Sequence, residues 1–126
     1  MMARESSRYL QNAREILKGA PIEDDIYTDV KPVREALGTA YLAVLEAINE
    51  SLLGKGLTKK DLPRSVEGYR TALRKHRIAR NGKLLREFES LYDLLHIAGY
   101  YRGLIYSVPL VKEALREAKV FIEKVG

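Results

Sequence analysis

Two histidines, no cysteine and seventeen carboxylates leave few ways to build a reactive centre in this chain. Asp93-Leu94-Leu95-His96 sets a carboxylate and an imidazole one helical turn apart, with Glu89 one turn earlier. Such a triple could open a metal site on a helix face. A di-iron bundle, however, needs a Glu-x-x-His pair from each of two helices plus two further glutamates. Here there is one such pair, and Glu46 or Glu50 would have to reach it from the far side of another helix. The plain reading is a surface His96 paired with Asp93 or a neighbour, so no metal and no cofactor is expected. The lack of cysteine excludes thiolate chemistry and a disulfide scaffold. Gly54-Lys55-Gly56 lacks the strand–loop–helix setting of a phosphate loop, and no Ser/His/Asp set assembles.

The second concentration of chemistry is Arg70-Thr-Ala-Leu-Arg-Lys-His76. Six steps along a continuous helix turn through about 600°, which leaves Arg70 and His76 about 120° apart. They converge only if the helix breaks between them. Arg70, Arg74 and Arg77 stack on an adjacent face of the same helix. Around them, residues 59–86 carry ten Lys or Arg against Asp61 and Glu67, in a chain of net charge +5. The remainder is net negative, with Glu23, Asp24, Asp25 and Asp29 forming an acidic cluster. A basic segment can mark a nucleic-acid footprint. The alternative is a solvated helix face that partly neutralises the acidic loop.

The elements that must position these residues are helices. Val33, Ala36, Leu37, Ala40, Tyr41, Val44, Leu45, Ala47, Ile48 and Leu52 fall on one arc covering more than half a helix circumference, with Leu42 as an intruder on the polar side. Pro32 suits its first turn and Gly54 its end. A helix this apolar needs at least two others over it. Before it, Ser6 or Ser7 can cap a helix running to Lys18, with Tyr9, Leu10, Ala13, Ile16 and Leu17 as its stripe. Residues 20–31 read as an acidic loop. After it come a capping-box turn at Thr58–Asp61, a thin basic helix over about 65–79, a long helix over about 83–107 and a last helix from Val108. Leu84, Phe88, Leu91, Leu95 and Ala98 form the core line of the long helix. Leu110, Val111, Ala114, Leu115, Ala118, Phe121, Ile122 and Val125 form that of the last. No strand-like alternation is visible. The expected fold is all-α: a single domain over residues 1–126, an antiparallel up-and-down bundle of four main helices plus one shorter basic helix. The polar N-terminal stretch is unlike a signal peptide, and uncharged runs such as Leu37–Leu45 are too short to span a bilayer. A soluble, cytoplasmic protein without membrane contact is expected.

Arginine, five residues, then histidine resembles the Arg-x(4–6)-His signature of the HEPN superfamily, four-helix domains that are often dimeric and include RNases of toxin–antitoxin and antiviral systems. The likeness extends over most of the chain. Ala36–Leu53 is similar to the second HEPN helix, and Leu91–Val125 to the closing half of the prokaryotic HEPN group. The family's Ala-Asp-Tyr triplet is matched by Ala98, Gly99 and Tyr100, its Glu-Ala by Glu113 and Ala114, and its Ala-x-x-Phe by Ala118 and Phe121. Gly99 stands where the triplet has Asp, the arginine preceding it is replaced by Leu95 and His96, and Thr71 is the residue after the signature arginine. The resemblance implies an RNase mechanism in which His76 exchanges a proton with the 2′-OH and Arg70 stabilises the phosphate. It also implies homodimers and a protein partner such as a nucleotidyltransferase-like antitoxin.

Taken together, the sequence reads as a HEPN-like bundle with a degenerate motif, acting as a non-catalytic interaction module and forming a homodimer. The alternatives are a metal-independent HEPN RNase using Arg70 and His76, or a non-catalytic RNA or nucleotide binder using Arg70, Arg74, Arg77 and Arg80. Ile97, Tyr100, Tyr101 and Leu104 fall on a face of the long helix that Arg86, Glu89, Ser90 and Asp93 make polar one or two turns earlier. They need cover, either from the loop carrying Ile22, Ile26 and Tyr27 or from a second copy of the chain. Arg102 continues the core line of that helix, so either the helix ends near Gly99–Gly103 or the guanidinium has partners or reaches solvent.

Overall fold

The computed structural model describes residues 4–76 and 82–125. Five helices account for most of them: α1 Glu5–Lys18, α2 Val30–Gly54, α3 Val66–Lys75, α4 Lys83–Leu91 and α5 Val108–Val125. A ten-residue π-helix, Tyr92–Tyr101, continues directly from α4. Among the described residues no helix is long and apolar enough to cross a membrane.

The organising helix is α2. Asp29 caps it, accepting from the Lys31 N–H at 3.1 Å, and Pro32 lies in its first turn. Of the ten residues on the expected arc all but Leu45 are buried, joined by Ala43, and Leu42 is exposed as expected. Val33, Leu37, Val44, Ile48 and Leu52 are wholly excluded from solvent. Each large aliphatic side chain of this kind stabilises the fold by about 1.5–3 kcal/mol. Helices α1 and α5 and the π-helix pack directly against α2, which gives that arc its cover.

α1 starts without the expected serine cap. Arg4 is the residue before the helix, and Ser6 is instead buried in the first turn, its backbone N–H donating to Glu50 Oε1 at 3.0 Å. The loop after α1 is a small antiparallel hairpin, β1 Ile22–Glu23 with β2 Ile26–Tyr27, not the irregular segment its acidity suggests. Asp24 and Asp25 hold φ of 53° and 61°, the two left-handed residues a tight two-residue hairpin requires. The two strands are too short for alternation to register in the sequence. The hairpin docks by backbone bonds on the segment before α5: Tyr27 N–H donates to Tyr106 C=O and Val108 N–H to Asp25 C=O, both at 2.9 Å.

The long helix expected over about 83–107 changes winding after Leu91 and stops at Tyr101. Arg102 N–H donates to Ile97 C=O, a five-residue step, at 2.9 Å. The wider turn moves the core line from Leu91 and Leu95 to Gly99, leaving Ala98 half-buried and Arg102 exposed. The charge therefore never enters the core. α3 carries its Ser65 cap, with Ser65 Oγ accepting from Gly68 N–H at 3.0 Å, and the turn before it forms the expected capping box between Thr58 and Asp61. α5 follows its expected stripe except at Leu110, which is exposed in the first turn.

Candidate functional site

The seam between α2 and the π-helix is built on two glycines that admit each other's neighbours. At Gly38 a Cβ would lie 2.7 Å from Tyr100 Cδ1, and at Gly99 it would lie 2.7 Å from Leu37 Cδ1. Each helix thus inserts a side chain into a gap the other leaves open. The π-helix C-terminus is closed by Arg34 of α2, whose Nε donates to Tyr100 C=O at 2.7 Å and whose Nη2 donates to Tyr101 C=O at 2.9 Å. A guanidinium suits this role, because its planar fork spans two adjacent carbonyls at the negative end of a helix.

Along this seam runs a column of aromatic rings. His96 stacks on Tyr41 at 4.8 Å between centroids and parallel to Tyr100 at 6.0 Å, with Tyr92 at 5.5 Å. The column ends on Arg70, whose guanidinium lies 5.5 Å from the centre of the Tyr92 ring. Burial pushes the Tyr41 hydroxyl up to about 12, with the neighbouring Tyr92 adding to the effect, so it holds its proton at neutral pH. Beside the column a groove of about 410 Å³ opens between Glu35, Gly38, Leu42, His96 and Tyr100. Its lining is mostly apolar, with Glu35 and Thr39 as polar members, and suits stacking and apolar contact.

The four residues expected at an interface end up at the outer edge of this seam. Tyr101 is 71% exposed, Leu104 52% and Tyr100 45%, while Ile97 is half-buried. The hairpin does not lie over them: Ile22 and Ile26 are themselves exposed, and Tyr27, the buried one of the three, lines the groove with Leu17 and Leu115 between α1 and α5. Of the two covers expected for this face, the loop therefore supplies none of substance. Arg34, Gly38, Tyr41 and Tyr92 were not legible as parts of a site. Arg34 reads as solvent-facing on the helix wheel, and the glycine becomes informative only when Tyr100 is set against it.

Arg70 is held by carboxylates. Its Nε donates to both oxygens of Glu89 at 2.8 Å and its Nη1 to Glu67 at 3.0 Å, with 23% of the side chain exposed. These two acids raise its already high pKa further. His76 ends α3 as its C-cap, with its N–H donating to Ala72 C=O, and no hydrogen bond joins it to Arg70 among the described residues. Arg74 is exposed, and Arg77 and Arg80 lie outside the described residues. In the Glu89, Asp93 and His96 triple, Glu89 turns to Arg70 and His96 turns into the aromatic column. Among the described residues no three His, Asp or Glu side chains gather in a way that could hold a metal ion.

Residues 1–126 match the model of a family described as a domain of unknown function, DUF5618. No curated protein matches the chain. A solved structure of a protein of unknown function from Dyadobacter fermentans is similar to it, at 32% identity and a TM-score of 0.76, over 96% of this chain and 90% of that one.

Proposed function

The chain belongs to the DUF5618 family, and we propose that it is a HEPN-like interaction module, one domain over residues 1–126 with its main helices running up and down, that works as a homodimer and not as a nuclease. The HEPN part of this reading rests on the sequence resemblance across Ala36–Leu53, Arg70–His76 and Leu91–Val125. The observation that carries the interaction part is the face formed by Tyr100, Tyr101 and Leu104, large side chains left open at the end of the glycine-packed seam. Exposed tyrosine and leucine on a well-ordered element are typical of interface cores, and a two-fold dimer is the commonest way to cover such a face. Against nuclease chemistry stands the state of Arg70. A guanidinium that donates to two carboxylates and lies over a ring offers little to a scissile phosphate until those partners are displaced.

Sedimentation velocity at tens of micromolar tests the dimer. The expected result is a dimer for the wild type and a monomer for Tyr101→Glu and for Leu104→Glu, with unchanged helical content. A wild-type monomer that neither substitution affects refutes it. Incubation with single-stranded RNA beside His76→Ala tests the rest, with no cleavage expected from either protein. Cleavage lost in His76→Ala would restore the nuclease alternative.

A further inference from the structure

The groove between α1 and α5, on neither the aromatic seam nor α3, gathers five cations in its lining. Arg14 and Lys18 line one wall, Lys112, Arg116 and Lys119 the other, and its volume is about 430 Å³. No carboxylate is among its lining residues. Lys18 is paired with Glu15 at 3.0 Å and Arg116 with Glu113, both pairs well exposed and therefore weak. Among the described residues no carboxylate lies within ion-pair distance of Arg14, Lys112 or Lys119. Lys112 and Lys119 are exposed and Arg14 half-buried.

We propose that this groove binds the phosphodiester backbone of a single nucleic-acid strand, without reading its sequence. Lys112 and Lys119 stand seven residues apart on α5, a rise of about 10 Å. Each strand of a duplex carries one charge per about 3.4 Å of axis and an extended single strand spaces its phosphates at roughly twice that, so a row of this length faces two phosphates and not one. The cationic walls are helices whose backbones are bonded internally, and Tyr27, the one strand residue in the lining, pairs with Ile22 and gives its N–H to Tyr106 C=O, so it offers no free edge to an extended peptide. What remains is a row of point charges over apolar floor, which positions a repeating polyanion and distinguishes no base. The signal in the sequence is split between two helices. Arg14-x3-Lys18 and Lys112-x3-Arg116-x2-Lys119 are ordinary half-rows interrupted by Glu15, Glu113 and Glu117. Only the packing of α1 beside α5 joins them.

The test is fluorescence anisotropy with a labelled single-stranded RNA of about twenty nucleotides, titrated from about 50 to 200 mM salt. Three unpaired cations predict a slope of log affinity against log salt of about −2, an eighteen-fold loss over that range. Lys112→Gln/Lys119→Gln should cut the slope to about −0.7, a loss of less than threefold over the same range. Both positions are exposed, so circular dichroism should match the wild type. Arg74→Gln, a cation removed from α3, should leave both affinity and slope unchanged. Absence of RNA binding at the lowest salt overturns the proposal, as does a slope that survives the double substitution or falls equally in Arg74→Gln. Binding to poly-glutamate or to phosphatidylserine vesicles as tight as to RNA also overturns it. Sedimentation of the double variant should match the wild type, which keeps this result separate from the dimer reading.

Discussion

Replacing Gly99 with alanine tests the packing of the seam, because two effects of opposite sign meet there. In an unobstructed helix, alanine is favoured over glycine by about 1 kcal/mol. At Gly99, however, the added Cβ would lie 2.7 Å from Leu37 Cδ1 and 2.9 Å from the Leu94 carbonyl oxygen. Leu37 is fully buried and has little room to change rotamer, and the carbonyl belongs to the same helix and moves only with it. Forcing a methyl group into a filled core costs about 1–3 kcal/mol, and contact with backbone places this case near the upper end. The expected net is a loss of about 2 kcal/mol, or about 6–10 °C in melting temperature for a chain of this size. Gly54→Ala supplies the control: nothing lies within 4 Å of its Cβ position, so a gain of about 0.5 kcal/mol is expected. Urea unfolding followed by far-UV circular dichroism measures both. Gly99→Ala at or above wild-type stability, with Gly54→Ala behaving as expected, would refute the close approach of the π-helix to α2. Gly99→Asp should cost more than alanine, about 4 kcal/mol or above, because a carboxylate would be buried without a partner.

Tyr41 should make stability fall at high pH. Its pKa in the folded state is raised to about 12, so the folded protein holds the proton more tightly than the unfolded chain. The resulting stabilisation is complete below about pH 10 and is lost as pH climbs toward 12, up to about 2–3 kcal/mol. The unfolding free energy of Tyr41→Phe, compared with wild type from about pH 9 to pH 12, should lack that decline; parallel curves would refute it. Arg34→Ala should uncap the π-helix and cost about 1 kcal/mol, with faster amide exchange at residues 100–104 than elsewhere. Arg34→Lys should recover less than half of that loss, because a single ammonium does not span both carbonyls. Full rescue by lysine would show that charge alone closes the helix.

The sequence by itself determined the helices and most of the core. A ten-residue apolar arc on α2 and the stripe from Val111 to Val125 admit one periodicity, and the residues on them are buried with few exceptions. The capping box at Thr58 was equally legible, since it depends on residues three positions apart, whereas the cap expected at Ser6 or Ser7 did not form. Three things were decided only by tertiary structure. The π-winding of Tyr92–Tyr101 arises because Gly99 must face Leu37, a contact between residues sixty-two positions apart, and local propensity does not encode it. The hairpin at Ile22–Tyr27 is held by backbone bonds to Tyr106 and Val108, which carry no side-chain pattern. The sites follow the same rule. Arg70 reads as one arginine in a basic ridge until Glu89 and Tyr92 meet it, and the five cations of the α1–α5 groove read as two unremarkable half-rows until the helices lie side by side. Periodicity reports which face of a helix is buried; it is silent on which other face it meets, and the chemistry of a site is a property of that meeting.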